Sequence, residues 1–338
     1  MISVFDKAHS LHDPQFFLSS GTPAPCPEKP ARVAALLGAV HRLGGPVAHA
    51  PDNGLEPIRA VHPERYLTFL QTIHARWQHI AGASAEVIPN VHPASRNDGY
   101  PLSAVGQAGF HMTDTSCPIG PGTWTAAYAS AQSAIHSADL VLGGAQAAYA
   151  LCRPPGHHAF AEIAGGFCYL ANSAIAAERL TRAGRRVAIL DVDVHHGNGT
   201  QGIFYDRGDV LTISLHAHPE RFYPFFWGYP DERGHGPGEG ANLNLPLQRG
   251  TGDAGYLAAL NTACEAVLRH GTDTLVLALG LDAFVGDPFA GLAVTTPGFA
   301  RIGARLAGLG LPTVIVQEGG YLCPELGDNL AAVLSAWQ

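Results

Sequence analysis

Four apolar runs constrain this chain more than any other feature. Arg186-Val-Ala-Ile-Leu-Asp-Val-Asp193, Val210-Leu-Thr-Ile-Ser-Leu215, Thr274-Leu-Val-Leu-Ala-Leu279 and Pro312-Thr-Val-Ile-Val316 are too continuous to turn one face to water. Strands buried on both faces read this way, as those of a parallel sheet under two helical layers do. Helical patterns at 123–141, 167–183, 254–270 and 297–309 lie before and between them, with earlier ones at 31–44 and from Val61, where Pro63 and Glu64 suit a helix start. The segment Gly144 to Leu151 fits either helix or strand. Strand alternating with helix predicts an α/β fold: a three-layer open parallel sheet with helices on both faces. No repeat or linker divides the 338 residues, so a single domain over 1–338 is expected. The stretch 80–122, rich in Gly, Pro, Ser and Asn, reads as a long loop insertion, and loops of that length are usually functional or interfacial.

Composition narrows the function classes. Hydrophobic residues make up 46% and charged residues 14%, which excludes a disordered chain. The net charge is −8, and no basic cluster is present, so nucleic acid is not an expected partner. No apolar run of about 18 residues and no basic leader followed by an apolar segment occurs, so neither a membrane nor export is expected. The six cysteines form no CxxC pair and sit in apolar runs; they read as buried free thiols of a cytoplasmic protein.

Each apolar run ends in polar residues: Asp191-Val-Asp193-Val-His195-His196, Ser214-Leu215-His216, Asp282, and Glu318-Gly-Gly-Tyr321. In open parallel sheets ligands bind beyond the carboxyl ends of the strands, so these four segments are expected to share one crevice. Asp193 and His195 point to one side of an extended chain, and Asp282 adds a third ligand from another strand end. Three such ligands leave a divalent metal an open position for water and substrate. The bland alternative is a helix-capping Asp193 and a loop His195; Asp282 tips the balance toward a metal. Arg153-Pro-Pro-Gly-His157-His158 is a rigid turn carrying two imidazoles, which can serve as base and acid, with Asp191 and Asn198 to fix their tautomers. A surface turn is the alternative there. Tyr321 after two glycines can donate to a developing oxyanion, or be an ordinary buried tyrosine. Aromatics in Gly165-Gly166-Phe167 and Phe222-Tyr223-Pro-Phe-Phe-Trp227 could line a narrow channel or simply fill the core.

Taken together, Arg-Pro-Pro-Gly-His-His at 153–158, Gly-Gly-Phe-Cys-Tyr at 165–169, Leu-Asp-Val-Asp-Val-His-His-Gly-Asn-Gly-Thr at 190–200, Ser-Leu-His at 214–216, Gly-Leu-Asp at 280–282 and Glu-Gly-Gly-Tyr at 318–321 resemble the zinc-dependent histone deacetylase superfamily. The chain length, the opening segment and the 80–122 insertion look most like its bacterial acetylpolyamine amidohydrolases. The resemblance implies the arginase–deacetylase fold with about eight parallel strands. It implies one Zn2+ on Asp193, His195 and Asp282, and a structural K+ near Asp191, Asp193, His195, Ser214 and Leu215. It implies His157 and His158 as the acid–base pair, with His158 nearest the water, Asp191 behind His157, Asn198 behind His158, and Tyr321 on the acetyl carbonyl. Gly166, Phe167, Tyr223 and Phe289 would line the substrate channel, and a homodimer would form through the insertion. The activity implied is hydrolysis of an N-acetyl amide on a slender, small-molecule amine. The alternative is a protein or peptide acetyl-lysine deacetylase, or a deacylase of another alkylamine. A two-metal ureohydrolase and an inactive acyl-amine sensor fit less well, because the His pair and Tyr321 are all present. Two departures count against a polyamine tail. Val105 stands at the position expected for an acidic residue of the channel, and Phe16 or Phe17 at another.

Overall fold

The computed structural model describes residues 1–95 and 99–338. In chain order its strands are β1 (Ile2–Val4), β2 (Phe16–Ser19), β3 (Thr22–Pro25), β4 (Val47–Ala48), β5 (Ala147–Ala150), β6 (Val187–Asp191), β7 (Val210–Ala217), β8 (Asn242–Leu247), β9 (Thr274–Leu279) and β10 (Thr313–Gln317). The helices are α1 (Ala31–Arg42), α2 (Glu56–Arg59), α3 (Glu64–Trp77), α4 (Ala104–His111), α5 (Thr123–Leu142), α6 (Asn172–Arg182), α7 (Asn198–Phe204), α8 (Asp253–Arg269), α9 (Thr296–Ala307) and α10 (Leu326–Leu334). Eight strands form one sheet in the order β4-β1-β5-β10-β9-β6-β7-β8, every neighbouring pair parallel. The remaining pair, β2 and β3, is an antiparallel hairpin.

Every residue of β5, β6, β7, β9 and β10 is buried. Alternate residues serve opposite layers, as the two-residue period of a strand requires. Leu190, Leu277 and Ile315 pack with Leu36 of α1, Leu260 of α8, Phe299 of α9 and Leu330 of α10. Their neighbours Ile189, Val276 and Val314 pack on the other face with Ala134 of α5, Ala174 of α6 and Phe204 of α7. The result is the three-layer α/β architecture that the continuous apolar runs demand.

The strand order places the site. From β6 the chain moves to β7 on one side, and from β9 it moves to β10 on the other, although β6 and β9 are adjacent. The loops leaving these two strands therefore diverge and open a crevice at their carboxyl ends, the usual ligand position in open sheets. Asp193 and His195 follow β6, and Asp282 follows β9.

Several boundaries differ from the sequence reading. The 186–193 run stops being strand at Asp191, because the next residues turn to give Asp193 and His195 to the crevice. The helix expected from residue 167 starts at Asn172, since Gly166 (φ 50°) and Phe167 (φ 66°) are left-handed and cannot be helical. Gly144 to Leu151 resolves as a turn and β5. The insertion at 80–122 is more than loop. It holds α4, whose N-cap Ser103 Oγ accepts from Gly106 N at 3.0 Å, and its ends are bridged at Val87 and Ile119. Residues 96–98 of that insertion lie outside the described residues. Among the described residues no helix is long and apolar enough to cross a membrane, and the six cysteines are free thiols, five of them buried.

Candidate active site

Asp193, His195 and Asp282 are buried and bring one ligand atom each to within 4.8 Å of the others. His195 Nδ1 lies 3.1 Å from Asp193 Oδ1 and 3.3 Å from Asp282 Oδ2. Backbone amides aim the carboxylates: Gly319 N donates to Asp193 Oδ2 at 2.8 Å and Val194 N to Asp282 Oδ1 at 3.0 Å. Among the described residues Asp282 Oδ2 is buried with no hydrogen-bond partner, a costly arrangement for a carboxylate unless a cation meets it. Burial disfavours a charged His195, yet the flanking Asp193 and Asp282 hold its pKa up at about 9. Two carboxylates and an imidazole facing one point, with an orphaned oxygen, fit a divalent metal. A second cluster of His157, Cys168 and Glu318 does not invite one. Glu318 already accepts from Gly156 N (2.6 Å), His157 N (3.1 Å) and Ser173 Oγ (2.8 Å).

Those bonds to Glu318 tie the Pro-Pro-Gly turn to the end of β10 and so fix the His pair. The rings of His157 and His158 lie 4.0 Å apart but have unlike partners. His157 Nδ1 is 2.9 Å from Asp191 Oδ2, whereas His158 Nδ1 is 2.7 Å from Asn198 Oδ1. Burial opposes protonation of His157, but Asp191 and then Asp193 outweigh it and raise its pKa to about 10. Burial, then the charges of His157 and His195, drive that of His158 well below 6.5. His158 is thus a neutral imidazole. Its Nδ1–H is engaged by the Asn198 carbonyl, which leaves Nε2 as the acceptor.

Tyr321 is buried, and burial pushes its phenol pKa well above 10, so it is a donor. Its backbone N donates to Asp287 Oδ2 at 2.9 Å, and its ring meets Phe289 at 4.7 Å and the Arg32 guanidinium at 5.0 Å. Behind it lies a buried ion cluster. Glu28 Oε1 pairs with Arg32 Nη1 at 2.6 Å and Arg153 Nε at 2.9 Å, while Arg32 donates to the carbonyls of Gly320 (2.5 Å) and Glu318 (2.8 Å). Arg32 therefore grips the Glu-Gly-Gly-Tyr turn. The sequence reading missed Glu28, Arg32 and Asp287; only Arg32 carried a signal, a cation amid the apolar face of α1.

One cavity of about 360 Å³ opens over these groups, and His158, His195 and Tyr321 share its wall. Gly166, Phe167, Tyr223 and Phe289 also line it, as does Phe17; Phe16 instead pairs with Pro25 across the β2–β3 hairpin. Tyr223 Oη donates to the half-buried Asp114 Oδ2 at 2.6 Å, which also accepts from Gly166 N at 3.2 Å. A side chain at Gly166 would strike His158 Cδ2 at 2.4 Å. Val105 does not line this cavity. It sits on α4, packed against the cluster of α3 residues such as Leu70, because the insertion folds back as a helix. The five positions implied for K+ lie on and just after β6 and on β7. Asp191 and Ser214 are register partners, Asp193 and His195 follow directly, and Leu215 has only its carbonyl to offer.

The histone deacetylase domain family matches residues 26–337. An acetylpolyamine amidohydrolase of Burkholderia pseudomallei is 46% identical over 330 residues, covering 97% of this chain and 96% of the relative. Acetylpolyamine amidohydrolase 1 of Pseudomonas aeruginosa is 44% identical over 343 residues, covering 100% and 99%. The crystal structure of an acetylpolyamine aminohydrolase from Burkholderia pseudomallei superposes with a TM-score of 0.96 at 45% identity, covering 100% of this chain and 98% of that one.

Proposed function

The chain belongs to the histone deacetylase family, and from that premise we propose that it is a metal-dependent amidohydrolase that removes acetyl from an acetylated polyamine, leaving acetate and the free amine. The observation that carries the reading is the single cavity lined at once by His158, His195 and Tyr321. Asp193, His195 and Asp282 would hold one Zn2+. When bound, the metal supplies a Lewis acid for the carbonyl and acidifies water toward neutral pH.

The chain's own residues supply the rest. His158 Nε2, kept neutral in the resting site, accepts a proton from the attacking water. His157, charged against Asp191, lies close enough to make that proton acidic again, so His158 returns it to the leaving amine. The Tyr321 hydroxyl donates to the oxyanion that forms at the acetyl carbon. Phe167, Tyr223 and Phe289 leave room for a methylene chain and keep water from its flanks.

The reading extends to a structural K+ near Asp191, Asp193, His195, Ser214 and Leu215. It includes a homodimer through the insertion, supported by its exposed Val91, Tyr100 and Leu102. A cytoplasmic location is supported by the free thiols. The test is a comparison of kcat/KM by zinc-loaded protein for N-acetylputrescine, N-acetylcadaverine, acetylspermidine and acetyl-lysine peptides. Preference for the free acetylated amines is expected; preference for the peptides would replace the substrate with a protein.

A further inference from the structure

The mouth of the cavity carries charge of one sign. Arg221 and Arg249 line it, and no Asp or Glu does. Both guanidiniums belong to exposed residues, and among the described residues neither pairs with a carboxylate. Arg249 is nonetheless held in place. Its Nε donates to the carbonyl of Ala290 at 3.1 Å, on the turn that carries Phe289, and among the described residues its two terminal nitrogens have no hydrogen-bond partner. A second concavity of about 420 Å³ adjoins the first and shares Arg221, Phe222 and Arg249 with it. One carboxylate, Glu220, lines this adjoining part together with the two arginines. Asp114, behind the wall, already accepts from Tyr223 Oη, Ser116 N and Gly166 N.

An acetyl group seated between His158 and Tyr321 thus sends its alkyl chain past Phe167, Tyr223 and Phe289 toward two arginines. A distal ammonium finds no carboxylate in the cavity wall and only Glu220 in the adjoining concavity. A distal carboxylate finds two planar donors suited to bidentate pairing. Resting on the deacetylase reading, we propose that this mouth recognises a carboxylate at the far end of the substrate. Acetylated ω-amino acids are then a second substrate class of the site. The reaction is unchanged: water adds to the acetyl carbon, the C–N bond breaks, and acetate and an ω-amino carboxylate leave.

The experiment compares three acetamides of matched length with zinc-loaded enzyme: 5-acetamidopentanoate, N-pentylacetamide and N-acetylcadaverine. The carboxylate should exceed the neutral amide in kcat/KM by about tenfold at low salt, mainly through KM, as two exposed charge pairs allow. The advantage should shrink at high ionic strength. In the Arg221→Gln, Arg249→Gln double variant the ratio should fall to about one. A binding readout accompanies it: 7-oxooctanoate, whose ketone replaces the amide and cannot be hydrolysed, should bind the double variant more weakly in calorimetry. Hydrolysis of the diamine and the neutral amide with no preference for the carboxylate would overturn this inference alone. A preference that survives in the double variant would overturn it too. Failure of all three acetamides would sink the deacetylase reading instead.

Discussion

Replacing Gly319 by alanine perturbs the metal site without altering a ligand. A Cβ on this residue would stand 2.2 Å from Asp282 Oδ2 and 2.5 Å from Asp193 Oδ2. Gly319 is not among the positive-φ glycines, so alanine meets no backbone strain there and the collision is purely steric. Ordinary carbon–oxygen contact begins near ~3.2 Å, so both oxygens must withdraw by about 1 Å. Metal sites tolerate ligand errors of only about 0.2 Å. Disturbing the support of a ligand costs about 10–100-fold in metal affinity, and here two ligands move together. The expected loss is at least about 100-fold, or about 2.7 kcal/mol. Competition with a graded chelator measures it, alongside circular dichroism and melting of both apoproteins to show that the fold persists. An Asp282→Asn variant, which adds no volume, should lose affinity in the same assay. Wild-type zinc affinity in Gly319→Ala would mean that Asp193 and Asp282 do not hold the metal together.

Other perturbations separate chemistry from support. His158→Ala and Tyr321→Phe should each lower kcat by about 10²–10³-fold with zinc content unchanged, since neither is a ligand; wild-type turnover would remove the role assigned to that residue. Glu28→Gln leaves Arg32 and Arg153 buried without their shared anion. Denaturant titration should show a loss of about 3–5 kcal/mol, and an unchanged midpoint would mean the cluster contributes nothing. Stability should also depend on pH through His62, which is buried with Nδ1 on the Ala161 carbonyl and Nε2 accepting from Ala171 N. Burial lowers its pKa from 6.5 to about 4, so the unfolded chain binds the extra proton. Its contribution is complete above pH 6.5 and is lost as pH falls toward 4, to a total of about 3 kcal/mol. A His62→Gln variant should flatten that slope between pH 7.5 and 5; an unaltered slope would assign it elsewhere.

The legible parts of the fold were those where one residue's environment follows from its sequence neighbours. Ile189 and Leu190 face opposite layers, and both must be apolar, so a buried parallel strand announces itself without any partner in view. Short edge elements do not. The strand β4 is two residues long, and β8 is half-buried and carries Asn242, Asn244 and Pro246. Its pairing comes from β7, which local pattern cannot supply. The insertion read as loop because α4 holds two glycines in eight residues; tertiary contact with α3, rather than helix propensity, stabilises it.

The same division runs through the site. The metal and imidazole residues were visible because the chemistry needs particular residue types at strand ends, and strand ends can be located. The electrostatics of the mouth was not visible, because charge there depends on which side chains have partners. Arg221 and Arg249 look like ordinary loop arginines in sequence. They acquire meaning only when the structure shows them beside one cavity and unpaired, while other cations near strand ends, such as Arg153, are consumed inside the core by Glu28. Val105 shows the converse. A sequence position expected at the channel packs instead against α3 and does not line this chain's cavity, a placement that local pattern does not reveal. The groups beside the cavity that differ in charge are Arg221, Arg249 and Glu220, set against aromatic walls, and none of them stands at a strand end where sequence pattern would single it out.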